Sequence, residues 1–294
     1  MNERRFVIIH NHVFKNAGST IDWALHKNFG NDFVDHRDDK EMQKGSNYLK
    51  NYLKENINVR ALSSHHLWLP LPELEGIKLF TIMMFRHPIE RVTSVYNFER
   101  RQTQADTLGA KFARDHSLRE YVLWRMRNDV PPTIRNFQTF RCLSGKINWQ
   151  NPLDKEDLQK AKSYINALEL LGFVEYFNES MILFENLLID FFPSIDLSYK
   201  AQNVGQKIDE PTEIRIEKLR REIGESAFEL LLDRNWVDLE LYRYAKEKFL
   251  SRLSNIRNFD ELFENFRKRC KRRFPNLNIF TSPYRGIAKK HNIL

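Results

Sequence analysis

The sequence predicts an α/β fold: a central, mostly parallel sheet flanked by helices in three layers, with a helix-rich C-terminal half. Three observations predict it. Short apolar runs alternate with helix-period segments, and strands separated by helices argue for a parallel sheet covered on both faces. The strongest run, Lys78–Phe85, is nearly continuous in Leu79, Phe80, Ile82, Met83, Met84 and Phe85, as a strand buried on both faces requires. From Pro211 to Phe249 the pattern is helical throughout, broken near Gly224 and near Asp233-Arg234-Asn235.

Along the chain, Phe6–His12 is a buried strand, and Ser19–Phe29 is a helix with Gly18 or Ser19 at its cap. Residues 31–46 are polar and read as a loop. A helix over Asn47–Asn56 and a short strand over Val59–Ser64 come next, until Leu69-Pro70-Leu71-Pro72 breaks the pattern. After Lys78–Phe85, Pro88 stands in the first turn of a helix that runs on through Ile89 to Arg101. Residues 116–128 and 133–143 are helical on either side of Pro131-Pro132, and residues 100–116 are a loop. Asp154–Asn166 is a helix, Leu168–Val174 a strand, Ser180–Phe191 a helix, and Asn258–Arg272 a basic amphipathic helix. No internal repeat or low-complexity linker interrupts the chain, so residues 1–294 are expected to form a single domain with a basic C-terminal segment over 265–294.

Composition narrows the function classes. The chain has 294 residues, 41% hydrophobic and 13% aromatic, enough for a sizeable core. No run of 18 apolar residues suggests a membrane span, and no apolar leader with a cleavage site is evident. Cys142 and Cys270 form neither a disulfide framework nor a metal spacing, so a reducing, cytoplasmic location fits. The net charge of +8 is unevenly placed. Residues 265–294 hold nine Lys or Arg and no Asp or Glu; without them 38 basic residues face 39 acidic ones, a net of −1. A nucleic-acid reader needs a basic body, and this body is nearly neutral. The basic segment is either a solvated tail or an attractor for an anionic substrate or membrane surface.

Two stretches carry the chemistry. His10-Asn11-His12-Val13-Phe14-Lys15-Asn16-Ala17-Gly18-Ser19-Thr20 joins the first strand to the first helix. Such a turn aims backbone N–H groups and a helix N-terminus at one point, an anion site to which Lys15 adds charge and Ser19 and Thr20 add hydroxyls. It is not an ATP loop of the usual kind. Gly18 is followed directly by Ser19 with no Lys between, and no magnesium carboxylate is evident. The bland alternative is an ordinary turn with an exposed Lys. The second stretch, Arg86-His87-Pro88-Ile89-Glu90-Arg91-Val92-Thr93-Ser94-Val95-Tyr96, follows the strongest strand. Arg86 stands at the carboxyl end of that strand, where open α/β sheets bind ligands, and Ser94 lies two helical turns on. An Arg fork and a hydroxyl suit a phosphate; the bland alternative pairs Arg86 with Glu90 or Glu99.

Together these stretches resemble the sulfotransferases that use 3′-phosphoadenosine 5′-phosphosulfate (PAPS), and most of all their carbohydrate branch of Golgi enzymes and bacterial relatives. Phe14–Thr20 resembles the 5′-phosphosulfate loop and Phe85–Tyr96 the 3′-phosphate motif. Weaker echoes lie at Asn136–Gly145, Leu171–Phe177 and Asp238–Ala245, so the resemblance spans about residues 6–249. It implies a P-loop-like fold and transfer of a sulfonyl group from PAPS to a hydroxyl, or less readily an amine, of a carbohydrate or glycolipid acceptor. It further implies that Lys15 neutralises the leaving phosphate, that Asn16, Ala17, Gly18, Ser19 and Thr20 cradle the 5′-phosphosulfate, and that Arg86 and Ser94 hold the 3′-phosphate. No metal is expected.

An acceptor hydroxyl needs a general base. Ser63-Ser64-His65-His66 lies where the carbohydrate relatives carry a Ser-Gly-His segment, which makes His65 the first candidate and His66 the second. His12, one position outside the loop, is a further residue able to line the site, whereas His10, His26, His36, His116 and His291 have no supporting context. The family closes its nucleotide site with late basic residues, a part open to Arg285 with Lys289 and Lys290. Arg267 to Arg273 are alternatively an attractor for an anionic glycan or lipid head group. The rival classes are a small-molecule kinase, which needs a Walker Lys and a magnesium carboxylate, and a non-catalytic anion-binding relative.

Overall fold

The computed structural model describes residues 4–67, 69–143, 148–200 and 210–273. They fall into two compact units. The first combines residues 4–85, 166–200 and 246–273, and the second combines 86–165 and 210–245. The candidates Arg285, Lys289 and Lys290 lie outside the described residues.

In the first unit, β1 (Arg5–Asn11) is followed by α1 (Gly18–Phe29), β2 (Phe33–Asp35), α2 (Asp39–Met42), α3 (Ser46–Glu55), β3 (Ala61–Ser64) and β4 (Ile77–Phe85). The five-stranded sheet is parallel at every pairing, in the order β2-β3-β1-β4-β5, with β5 supplied by Leu170–Phe173. Alternation along β1 sorts its side chains between two faces. Val7 and Ile9 enter a core with Leu62 of β3, Leu49 and Leu53 of α3, and Met42. Phe6, on the other face, packs edge-on against Phe191 at 5.0 Å. His10 shares that face and is almost wholly buried.

The short β2 lies where the sequence suggests only loop. Its three residues pair Phe33↔Ala61, Val34↔Leu62 and Asp35↔Ser63 at the edge of the sheet. Three residues beside a charged run are too few for a periodic signal.

In the second unit, α4 (Pro88–Arg101) opens with Pro88 in its first turn. The region expected to be a loop contains α5 (Leu108–Asp115), capped by the Thr107 side chain. A capping box of Ser117 and Glu120 then starts α6 (Leu118–Arg125). The expected helix over 133–143 shortens to one turn, α7 (Phe137–Phe140), behind Asn136 in a left-handed conformation (φ 46°). The helix α8 (Lys155–Ala167) leads to β5. After α9 (Phe177–Leu188), the helical C-terminal half divides into α10 (Thr212–Ile223), α11 (Glu225–Arg234) and α12 (Trp236–Ser254), with breaks where Gly224 and Asn235 were expected to make them.

The last helix, α13 (Phe259–Arg273), turns Phe263, Phe266 and Cys270 into the first unit's core. Its Arg269 bonds Glu185 of α9 at 2.6 Å and also pairs with Asp196. This part of the basic segment is therefore engaged in packing. Among the described residues, no helix is long and apolar enough to cross a membrane.

Candidate active site

The carboxyl ends of β1, β3 and β4 terminate side by side. In the sheet register Asn11 pairs with both Ser64 and Met83. One step beyond that rung, the chain leaving β1 and the chain leaving β3 present His12 and His65 next to each other. The His12 N–H donates to the Ser64 carbonyl (3.1 Å), and His65 Nδ1 lies 2.8 Å from the His12 carbonyl. Their rings are 3.9 Å apart.

Between β1 and α1 the loop turns sharply. Lys15 (φ 64°) and Ala17 (φ 61°) both take the left-handed conformation without being glycine, a cost of about 1–3 kcal/mol each that persists where the surroundings impose it. Asn16 is buried, and its amide donates to the Met84 carbonyl on β4 at 2.7 Å, which pins the loop to the sheet. Thr20 and Ile21 donate to the Ala17 carbonyl. The N–H groups of Gly18 and Ser19 precede any intrahelical acceptor, so they face outward at the positive end of α1. Left-handed residues among helical ones form the concave nest of N–H groups that takes an anion. Ser19 is exposed beside it. Gly18 is required for a different reason from the turn: a Cβ there would overlap the imidazole of His12.

Beneath this loop lies a cluster that sequence reasoning missed. Asp22 of α1 accepts from His10 Nδ1 at 2.7 Å and from His12 Nδ1 at 2.9 Å. His10, set aside earlier for lack of context, is in fact its buried end, with Ser63 Oγ 3.0 Å from the same nitrogen. The rings of His10 and His12 stack at 5.0 Å, so His10, His12 and His65 form a column. The signal was present in part: two histidines two apart on a strand share a face, but nothing in the sequence spacing joins them to an Asp on the following helix. One ligand atom from each of His10, His12 and Asp22 lies within 4.8 Å of the others, a set of the kind that holds a divalent cation. The separations of 2.7 and 2.9 Å are those of hydrogen bonds.

The electrostatics follow from this packing. Burial works to raise the Asp22 pKa, and the bonds and charges of His10 and His12 overcome it, holding the carboxyl well below the usual carboxylate range. Burial pushes the His10 pKa down against the pull of Asp22. His65 is exposed, yet partial desolvation of its ring and then the neighbouring His12 push its pKa down to about 4. A backbone carbonyl only accepts, so neutral His65 carries its proton on Nδ1 and leaves the Nε2 lone pair to accept one. His66, the second candidate, is held differently, with Nδ1 3.2 Å from Gln43 Nε2.

Arg86 and Ser94 belong to the second unit. The guanidinium of Arg86 makes a two-point pair with Glu90, with Nη2 to Oε1 at 2.6 Å, and Glu90 also takes Arg215 at 3.1 Å. The ion pair named as the bland alternative is thus present, and one buried carboxylate is shared between two guanidiniums. Burial works to raise the Glu90 pKa and the two arginines bring it below its ordinary value. Glu99 pairs instead with Arg125 at 2.7 Å. The Arg86 peptide is clamped at both ends by Gln138, which accepts from its N–H (2.9 Å) and donates to its carbonyl (2.8 Å). Gln138 and Thr139 in turn donate through their backbone to Asp238, at 3.1 and 2.7 Å. Gln138 and Thr139 from one echo and Asp238 from another therefore form a brace behind Arg86. Ser94 is partly exposed on α4.

The Sulfotransferase family matches residues 1–245. An uncharacterized protein of Archaeoglobus fulgidus is 32% identical over 260 residues, covering 83% of this chain and 98% of that protein. The chicken (Gallus gallus) heparan-sulfate 6-O-sulfotransferase 2 is 29% identical over 167 residues, which are 53% of this chain and 36% of that protein. The chain belongs to the sulfotransferase family.

Proposed function

We propose that the chain transfers a sulfonyl group from 3′-phosphoadenosine 5′-phosphosulfate to a carbohydrate hydroxyl. The observation that carries this reading is the juxtaposition of the N–H nest at Lys15–Thr20 with the Nε2 face of His65, two parts that sulfonyl transfer needs close together. The similarity to a heparan-sulfate 6-O-sulfotransferase supports a glycan hydroxyl as the acceptor.

The residues divide the work. His65 Nε2 takes the proton of the acceptor hydroxyl as its oxygen attacks sulfur. The bond between sulfur and the bridging oxygen breaks, and its electron pair stays on the 5′-phosphate of the departing adenosine 3′,5′-bisphosphate. Lys15 and the N–H groups of Gly18 and Ser19 stabilise the charge that appears there. His65 then releases its proton to solvent. Arg86 and Ser94 hold the 3′-phosphate and thereby fix the donor's position. Arg285 is the candidate to close over the nucleotide, and the basic 265–294 segment is the candidate contact with an anionic membrane surface. The reaction runs in a reducing, cytoplasmic setting, and residues 1–294 act as a single domain.

Thermal unfolding with two ligands tests the reading. Adenosine 3′,5′-bisphosphate at 100 times its Kd is expected to add about 2.7 kcal/mol of stability, with ATP adding far less. Equal shifts, or none with the bisphosphate, would overturn it.

A further inference from the structure

We infer that His12 is a further catalytic residue of sulfonyl transfer and that Asp22 is its positioning residue, an assignment that rests on the proposed function. Three observations carry it. The ring edge of His12 that includes Nε2 lies directly over the Cα of Gly18, at the mouth of the anion nest, where any Cβ would overlap it. The opposite nitrogen, Nδ1, is bound 2.9 Å from the Asp22 carboxylate. The other oxygen of that carboxylate is held 2.7 Å from the buried His10. The carboxylate thus has its two oxygens on two imidazole nitrogens and can only accept from both. Both rings are therefore fixed with a proton on Nδ1, and His12 can turn only its Nε2 toward the loop.

This arrangement adds a donor beside Lys15 and the loop N–H groups. In the donor-free protein His12 is the neutral Nδ1–H tautomer; when the donor binds, the ring takes a proton from solvent on Nε2, and each N–H then has a partner, Asp22 on Nδ1 and a sulfonyl or bridging oxygen of the donor on Nε2. The transferring group then meets His12 from one side and Lys15 from another, while His65, 3.9 Å from His12, faces the acceptor. The proton on His12 stays there through the step; the proton that moves is the acceptor's, to His65. Carboxylate–imidazole pairs of this kind set tautomer and orientation rather than exchange protons themselves. His10 closes the arrangement from below as the anchor of the second oxygen.

The test is Asp22→Asn, whose amide matches the shape but must offer an N–H to one of the two rings. Its kcat for sulfonyl transfer is expected to fall about 10- to 100-fold per folded molecule, with Kd for adenosine 3′,5′-bisphosphate, which lacks the sulfonyl group, within about threefold of the parent protein. Asp22→Glu is expected to recover part of the rate. Nitrogen-15 NMR of the imidazoles is expected to show His12 as the Nδ1–H tautomer in the parent protein and a changed tautomer population in Asp22→Asn. A kcat within threefold of the parent protein, or His12 as the Nε2–H tautomer, would overturn the assignment. So would loss of parent activity on chelation with recovery on adding zinc, because the trio would then be a metal site. Failure of the parent protein to bind the bisphosphate at all would instead overturn the proposed function and the role of His12 with it, whatever the tautomer.

Discussion

In the proposed reaction His65 and Lys15 act on opposite ends of one bond rearrangement, so their removal is expected to leave different signatures. A general base contributes about 10²- to 10⁴-fold. His65→Ala is expected to lower kcat by that range while bisphosphate binding stays unchanged, because the imidazole faces the acceptor. Lys15→Ala is expected to lower kcat and weaken the bisphosphate, since its charge meets the phosphate in both states. Steady-state kinetics beside calorimetric titration separate the two. Near-parent turnover in His65→Ala would pass the role to another group, and a Lys15→Ala variant that merely expresses poorly would remove the loop from the mechanism. The loop's place between a strand and a helix was legible in the sequence, and its Lys, Gly, Ser and Thr mark it there as a candidate anion site. The backbone behind that chemistry was not. Left-handed conformations at Lys15 and Ala17 have no sequence signal, since neither is Gly or Asn.

At the scale of elements, strands that are apolar throughout announce themselves, and β1, β4 and β5 fall where they were expected to. Elements made by pairing or capping do not. The edge strand β2 exists because β3 offers it a partner. The helix α5 exists because Thr107 caps it and Gly109, Ala110 and Ala113 pack closely. The same reason hid the brace behind Arg86, whose members are some fifty and a hundred residues apart in sequence. Gln138 holds both polar groups of the Arg86 peptide. Gln138→Ala removes both bonds at a buried site, with an expected loss of about 1–3 kcal/mol of stability. If Arg86 grips the 3′-phosphate, the loosened peptide is also expected to raise the bisphosphate Kd by about tenfold, or 1.4 kcal/mol. Denaturant unfolding and calorimetry read the two effects separately. Lost stability with unchanged affinity would leave Gln138 a purely structural clamp.

Over the whole molecule, the groups with displaced pKa values set how stability responds to acid. His65 is pushed down to about 4 in the folded protein, and burial lowers His10 as well. An unfolded imidazole titrates near about 6.5. Between these values the unfolded chain binds protons that the folded chain refuses, so stability rises with pH and is lost as pH falls from about 6.5 toward 4. The carboxylates act lower. Asp22, through its bonds to His10 and His12, and Glu90, through Arg86 and Arg215, are held below their ordinary range, so their stabilising contributions are complete above the unfolded carboxylate pKa and decline as pH drops below it toward the folded values. Acid therefore removes stability in two stages, histidines first and carboxylates second. Thermal midpoints measured from pH 8 to 4 are expected to hold steady above about 7 and then decline. In His10→Asn the first stage is expected to shrink, because one of the refused protons is gone. A midpoint that stays level down to pH 5 would mean that His10 and His65 take up protons without cost, and the lowered pKa values of these two rings would have to be abandoned.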